Sequence, residues 1–122
     1  MNGEDFLRRL HSAVVVAQAK SILDYRAAPP GRRKKSAEEL QLSAWINGLD
    51  DASRRNVEFL LESAADSVIF GVLCILDGVR GIDAGQFEIL HVDSMGKRQL
   101  LNGSEGEFLN DIYRGLFPPI MP

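Results

Sequence analysis

The feature that most constrains this chain is a single uninterrupted apolar run, Val68 to Leu76, set inside a much longer helical pattern. Val57, Leu60, Leu61, Ala64, Val68, Val72, Ile75 and Val79 recur at helical spacing and predict one long helix over about Ser53 to Val79. From Val68 to Leu76 the pattern is apolar all round, and a segment of that kind is normally buried on every side. The expectation is a central spine helix that the rest of the chain wraps. Gly71 sits in its middle at a cost of about 1 kcal/mol against alanine, which predicts close approach by a neighbouring element. The nine-residue run is short of the roughly 20 residues that a membrane span needs, so no membrane partner is expected.

The other elements follow from their boundary signals. Phe6, Leu7, Leu10, Val14, Ala17 and Ser21, extended by Ile22 and Tyr25, predict a first helix from Glu4 to Ala27. Pro29-Pro30-Gly31 ends it. Ser36 and Glu39 form a Ser-x-x-Glu capping box opening a second helix to Asn47. Asp50, Asp51 and Ser53 are equivalent candidates to cap the third. Phe87–Val92 and Arg98–Leu101, joined by Asp93-Ser94-Met95-Gly96, read as a β-hairpin that needs the spine for support. A second box, Ser104-x-x-Glu107, opens a last helix that Phe117-Pro118-Pro119 closes. The predicted fold is mostly α, in the α+β class: a long central apolar helix packed by three other helices and one β-hairpin, in a single domain over residues 1–122.

Composition narrows the function classes. The chain has 122 residues, 45% hydrophobic and 25% charged, as globular domains do. Cys74 is the only cysteine, so no internal disulfide can form, and within Val72–Leu76 it reads as a small buried hydrophobe. A reducing cytoplasm suits that usage. The first apolar stretch follows Glu4, Asp5, Arg8 and Arg9 and is broken by Gln18 and Lys20, unlike a secretory leader. The net charge of −3 argues against a general nucleic-acid binder.

The candidate sites are few. Arg32, Arg33, Lys34 and Lys35 form a basic loop beside Arg26. The 14 basic residues less these five leave nine against 17 acidic, a body charge of −8, so the charge is polarised. An arm for phosphate, RNA or an acidic partner competes there with a solvated loop. No aromatic residues interleave it, so a nucleic-acid groove is hard to build. His11 lies beside the first apolar stripe. His91 stands two residues before Asp93, a weak metal pattern without a third ligand. Asp66 and Asp77 flank the apolar run on roughly one helix face, where a polar site, an ion pair of Asp77 with Arg80, or an amide cap are all open. Gly78-Val79-Arg80-Gly81 lacks the ending of a phosphate loop. No nucleophile arrangement, cofactor motif or metal-ligand spacing is present, so an enzyme is not expected. Trp45 and the tail residues Phe117 and Ile120 are candidate apolar contacts for a partner, with a folded-back tail as the alternative.

Two segments carry a resemblance. Ala64–Gly71 followed by Leu76-Asp77-Gly78-Val79, and Phe87-Glu88-Ile89 with Leu101-Asn102 and Glu107–Asp111, look like a pattern in small bacterial domains of unassigned function. The whole is loosely similar to immunity proteins of bacterial toxin systems. That resemblance implies a small cytoplasmic protein-binding module, immunity- or antitoxin-like, that occludes a partner protein. The alternative is a homo-oligomeric structural or regulatory helical domain, which would bury the extra face of the spine in a homodimer. A small-ligand binder or enzyme built on Asp66, Asp77 or His91 ranks below both.

Overall fold

The computed structural model describes residues 1–31, 33–79, 85–103 and 108–120. The Ser104–Glu107 box, Arg32, Arg80, Gly81 and the last two tail residues lie outside the described residues. The elements are α1 (Gly3–Leu10), a π-helical segment (His11–Val16), α2 (Ala17–Ala27), α3 (Ala37–Asn47), α4 (Asp51–Leu76), β1 (Leu90–Val92), β2 (Arg98–Leu100) and α5 (Leu109–Leu116). The fold is mostly helical with one antiparallel hairpin, and the long α4 packs against the other helices.

α1, the π segment and α2 form one continuous rod. Its inward residues, Leu7, Val15, Ala19 and Leu23, lie on a four-residue repeat. In an α-helix such a row drifts by about 40° per step, because four residues overshoot one 3.6-residue turn. The wider π turn absorbs the drift and holds the row on the core. This corrects the predicted stripe. Beyond the π turn the inward positions are Ala19 and Leu23, while Ser21, Ile22 and Tyr25 are exposed.

Caps and cross-ties set the other boundaries. Ser36 Oγ accepts from the Glu39 amide (3.1 Å), opening α3 as predicted. The Glu39 carboxylate turns to Arg33 (2.8 Å) rather than back to Ser36. Asp50 is the cap of α4, its Oδ1 accepting from the Ser53 amide (2.7 Å). The last carbonyl of α2, on Ala27, accepts from Ser43 Oγ and from Asn47 Nδ2 (2.9 Å), which ties α3 to α2. α4 stops at Leu76, three residues short of the expected end. Gly78 turns left-handed (φ +78°), and the Val79 amide donates back to Cys74 O (2.9 Å).

The core joins Leu7, Val15, Ile69, Leu73, Leu109 and Tyr113. Cys74 is buried, as a small hydrophobe should be. The expectation of a spine buried on every side is overturned. Val68 is 65% exposed, Val72 48% and Leu60 64%, and the buried residues of α4 are Asp66, Ile69, Leu73 and Cys74. The core reads a different face of α4 from the one with the longest apolar stripe. α4 is also long and apolar enough to cross a membrane, with a mean hydropathy of 2.0 over 18 residues, of which 22% are buried. The nine-residue count missed this because it stops at Ser67, whereas an 18-residue window tolerates Glu62 and Asp66.

The hairpin is shorter than predicted. Leu90 pairs with Leu100, His91 with Gln99 and Val92 with Arg98. Gly96 (φ +82°) closes the turn, and Asp93 Oδ1 accepts from the amides of Met95 and Lys97 (both 2.9 Å). Before β1 the Leu101 amide still donates to Ile89 O (2.8 Å), and a side chain then takes the place of the strand. Asn102 Oδ1 accepts from the Ile89 amide (2.8 Å), and its Nδ2 donates to Phe87 O (3.0 Å) and Leu76 O (3.3 Å). This one buried amide fastens the base of the hairpin to the end of α4.

Candidate functional site

Two carboxylates, one on the inward face of α4 and one at its C-cap, hold α5. Asp66 is 3% exposed. Its Oδ1 accepts from Tyr113 Oη (2.7 Å), and its Oδ2 from Arg114 Nη1 (2.9 Å). Arg114 also donates to Phe117 O (3.2 Å), and its guanidinium lies over the Phe70 ring at 4.3 Å. At the C-cap of α4, Asp77 Oδ2 accepts from the backbone amide of Asn110 (2.7 Å) and from its Nδ2 (2.8 Å). That amide is one of the unpaired donors of the first turn of α5, so Asp77 caps α5 from another helix. The two acids flank the apolar run on one face, as their spacing predicts, and both are engaged by α5.

The chemistry open to this cluster is limited by its occupancy. Both Asp66 oxygens are held by donors, and burial followed by the bond to Asp66 pushes the Tyr113 hydroxyl far above its ordinary range. Such a pair orients α5 and exposes no proton to a substrate. Among the described residues no three or more His, Cys, Asp or Glu side chains cluster as a metal site. His91 pairs within the hairpin, and Asp93 is turned into its own loop, so the sequence pair is not brought together as ligands.

His11 has a role that its sequence position did not reveal. Its ring stacks on Phe117 at 3.7 Å and 4°, and lies 6.2 Å from the Tyr113 ring. Burial lowers its pKa from 6.5, against the opposing pull of Asp66 and Glu62. The folded protein therefore favours neutral His11. Its contribution to stability is fully present above pH 6.5 and is lost as pH falls from 6.5 through the lower folded-state value. Urea unfolding between about pH 7.5 and 5.5 should show stability falling with pH, and His11→Phe, which keeps a stacked ring, should flatten that slope. An unchanged slope in the variant would show that another group causes it.

The remaining candidates separate into buried and open. Phe117 and Ile120 are partly buried and pack against the core, so the tail folds back and these two are not a free partner contact. Arg33 is tied to Glu39 and lies close to Tyr25, Lys34 is exposed and Lys35 half-buried. Trp45 stays 54% exposed. It stands at the edge of an apolar cleft of about 260 Å³ bounded by Ile22, Leu42, Val57 and Leu61. A second apolar cleft, about 220 Å³, lies between α1 and α4 and is bounded by Phe6, Leu10, Val68, Val72 and Leu76. Leu61, Val68 and Val72 follow one another at seven and four residues, so the two clefts open on one side of α4. This outward face was legible as a stripe in the sequence, but its direction was not.

Comparison with protein-family models, with curated proteins and with solved structures found no match to this chain. The functional reading rests on this geometry.

Proposed function

We infer that this chain is a small protein-interaction module that binds through the outward face of α4. The observation that carries this reading is the exposure of Val68 and Val72 in the wall of one apolar cleft, on the side of α4 where a second opens. Contiguous exposed apolar surface is unfavourable in water and marks a contact surface when it is concentrated on one face. Among the described residues, both oxygens of Asp66 and the Oδ2 of Asp77 are engaged by α5, so these inward groups serve to hold that helix.

The resemblance to immunity proteins would make the covering protein a toxin, and a net charge of −3 would suit a basic one. The outward residues Leu61, Val68, Val72 and Ile75 carry no charge, so the support is for apolar burial rather than electrostatic capture. Immobilised protein exposed to lysate of its source cells should retain a protein through high salt, where surface ion pairs are screened. Val68→Glu should release it. Retention that is indifferent to Val68→Glu would rule this face out.

A further inference from the structure

The outward side of α4 has a regular composition. Val57, Leu61, Ala64, Val68, Gly71 and Ile75 alternate at steps of four and three residues, with Ala64 and Val68 exposed and the other four half-buried. That is the seam of a heptad repeat, the spacing that keeps one helix against another. Large residues occupy one seam position (Leu61, Val68, Ile75), while Val57 and the small Ala64 and Gly71 occupy the other. Small residues there allow two backbones to approach closely. Between Leu60 and Leu76 the only charged residues of α4 are Glu62 and Asp66. Asp66 is bound inward to Tyr113 and Arg114, and Glu62 lies near enough to His11 to raise its pKa, on the core side of the helix.

We propose that the occupant of this face is a second copy of the chain, laid antiparallel along α4 about a twofold axis between Ala64 and Val68. The proposal rests on the reading of this face as an interaction surface. Twofold symmetry brings a surface against itself, so a charge near the axis would meet its like. An uncharged seam is what such a contact requires. The shape is self-complementary as well. The Trp45 ridge stands beside Val57 and Leu61, on one side of the axis, and the Phe6–Leu10–Leu76 cleft lies on the other. An antiparallel copy brings each Trp45 to the cleft of its partner.

The area sets how far such a contact must extend. From Val57 to Leu76 the strip is about 28 Å long and, at about 10 Å wide, offers roughly 300 Å². A stable interface covers roughly 800 Å² on each partner. The seam alone falls short, so the contact must include the flanks, where Ile22 and Trp45 are about half exposed. A buried tryptophan seated in a cleft is the kind of residue that dominates such an interface.

Sedimentation equilibrium at tens of micromolar tests this directly. The wild-type chain should sediment at twice its 13.5 kDa mass. Val68→Glu should sediment as a monomer with an unchanged far-UV spectrum. Trp45→Ala should weaken the dimer by at least tenfold, and Val92→Glu, on the exposed hairpin, should leave it intact. A monomeric wild type, or a dimer that survives Val68→Glu, overturns the proposal. An unchanged dissociation constant in Trp45→Ala overturns the antiparallel seating. A monomeric wild type that still captures another protein, or that floats with phosphatidylcholine–phosphatidylglycerol vesicles, in either case lost in Val68→Glu, refutes self-pairing and identifies the alternative occupant. If neither dimer nor capture nor flotation depends on Val68, the interaction face itself is refuted along with the dimer.

Discussion

Replacing Asp66 with alanine should cost about 3 kcal/mol of folding stability, measured by urea unfolding of the dilute chain. The carboxylate is almost fully buried and serves two donors from α5, Tyr113 Oη at 2.7 Å and Arg114 Nη1 at 2.9 Å. Removing it leaves a hydroxyl with no acceptor on a residue at 0% exposure. It also leaves a guanidinium whose remaining bond is to Phe117 O. The cost of stranding one partner of a buried ion pair runs to about 3–5 kcal/mol, well above the net worth of the pair. The lower end applies because the Arg114 side chain is 22% exposed and can take up water. Tyr113→Phe removes one bond while keeping the ring in the core, and should cost about half as much. A loss below about 1 kcal/mol for Asp66→Ala would mean that α5 is held by its apolar residues alone.

What the sequence disclosed about this fold is what repeats or caps. The start of α3 was legible at Ser36, because a hydroxyl three residues before an amide is a local arrangement. The exit of the first helix at Pro29-Pro30 and the hairpin turn at Asp93–Gly96 were legible for the same reason. The inward face of α4 was misjudged because a stripe of apolar residues tells where water is disfavoured, not which neighbour excludes it. The longer stripe, through Val57, Val68 and Val72, drew the assignment of the core. The true core face carries Asp66 and Asp77, whose charges look wrong for an interior until Tyr113, Arg114 and Asn110 are placed opposite them. Those partners are 33 to 48 residues away in the chain, and single polar residues leave no periodic trace. Asn102 was invisible in the same way. One signal was present but unread: the four-residue spacing of Leu7, His11, Val15, Ala19 and Leu23 is itself the mark of a turn wider than an α-helix.

The central claim is that the two sides of α4 do different work, one facing the core and the other a partner. Leu73 is 2% exposed at the centre of the core, whereas Val68 lies one and a half turns away on the open side. The most direct test is to measure urea unfolding of Leu73→Ala and Val68→Ser side by side, at a dilution where any association is absent. Leu73→Ala should lose about 3 kcal/mol, the cost of a core cavity. Val68→Ser should lose less than about 0.5 kcal/mol, as for a surface position. Comparable losses at both positions would contradict the account, because they would place Val68 inside the fold and leave no open face for a partner to cover.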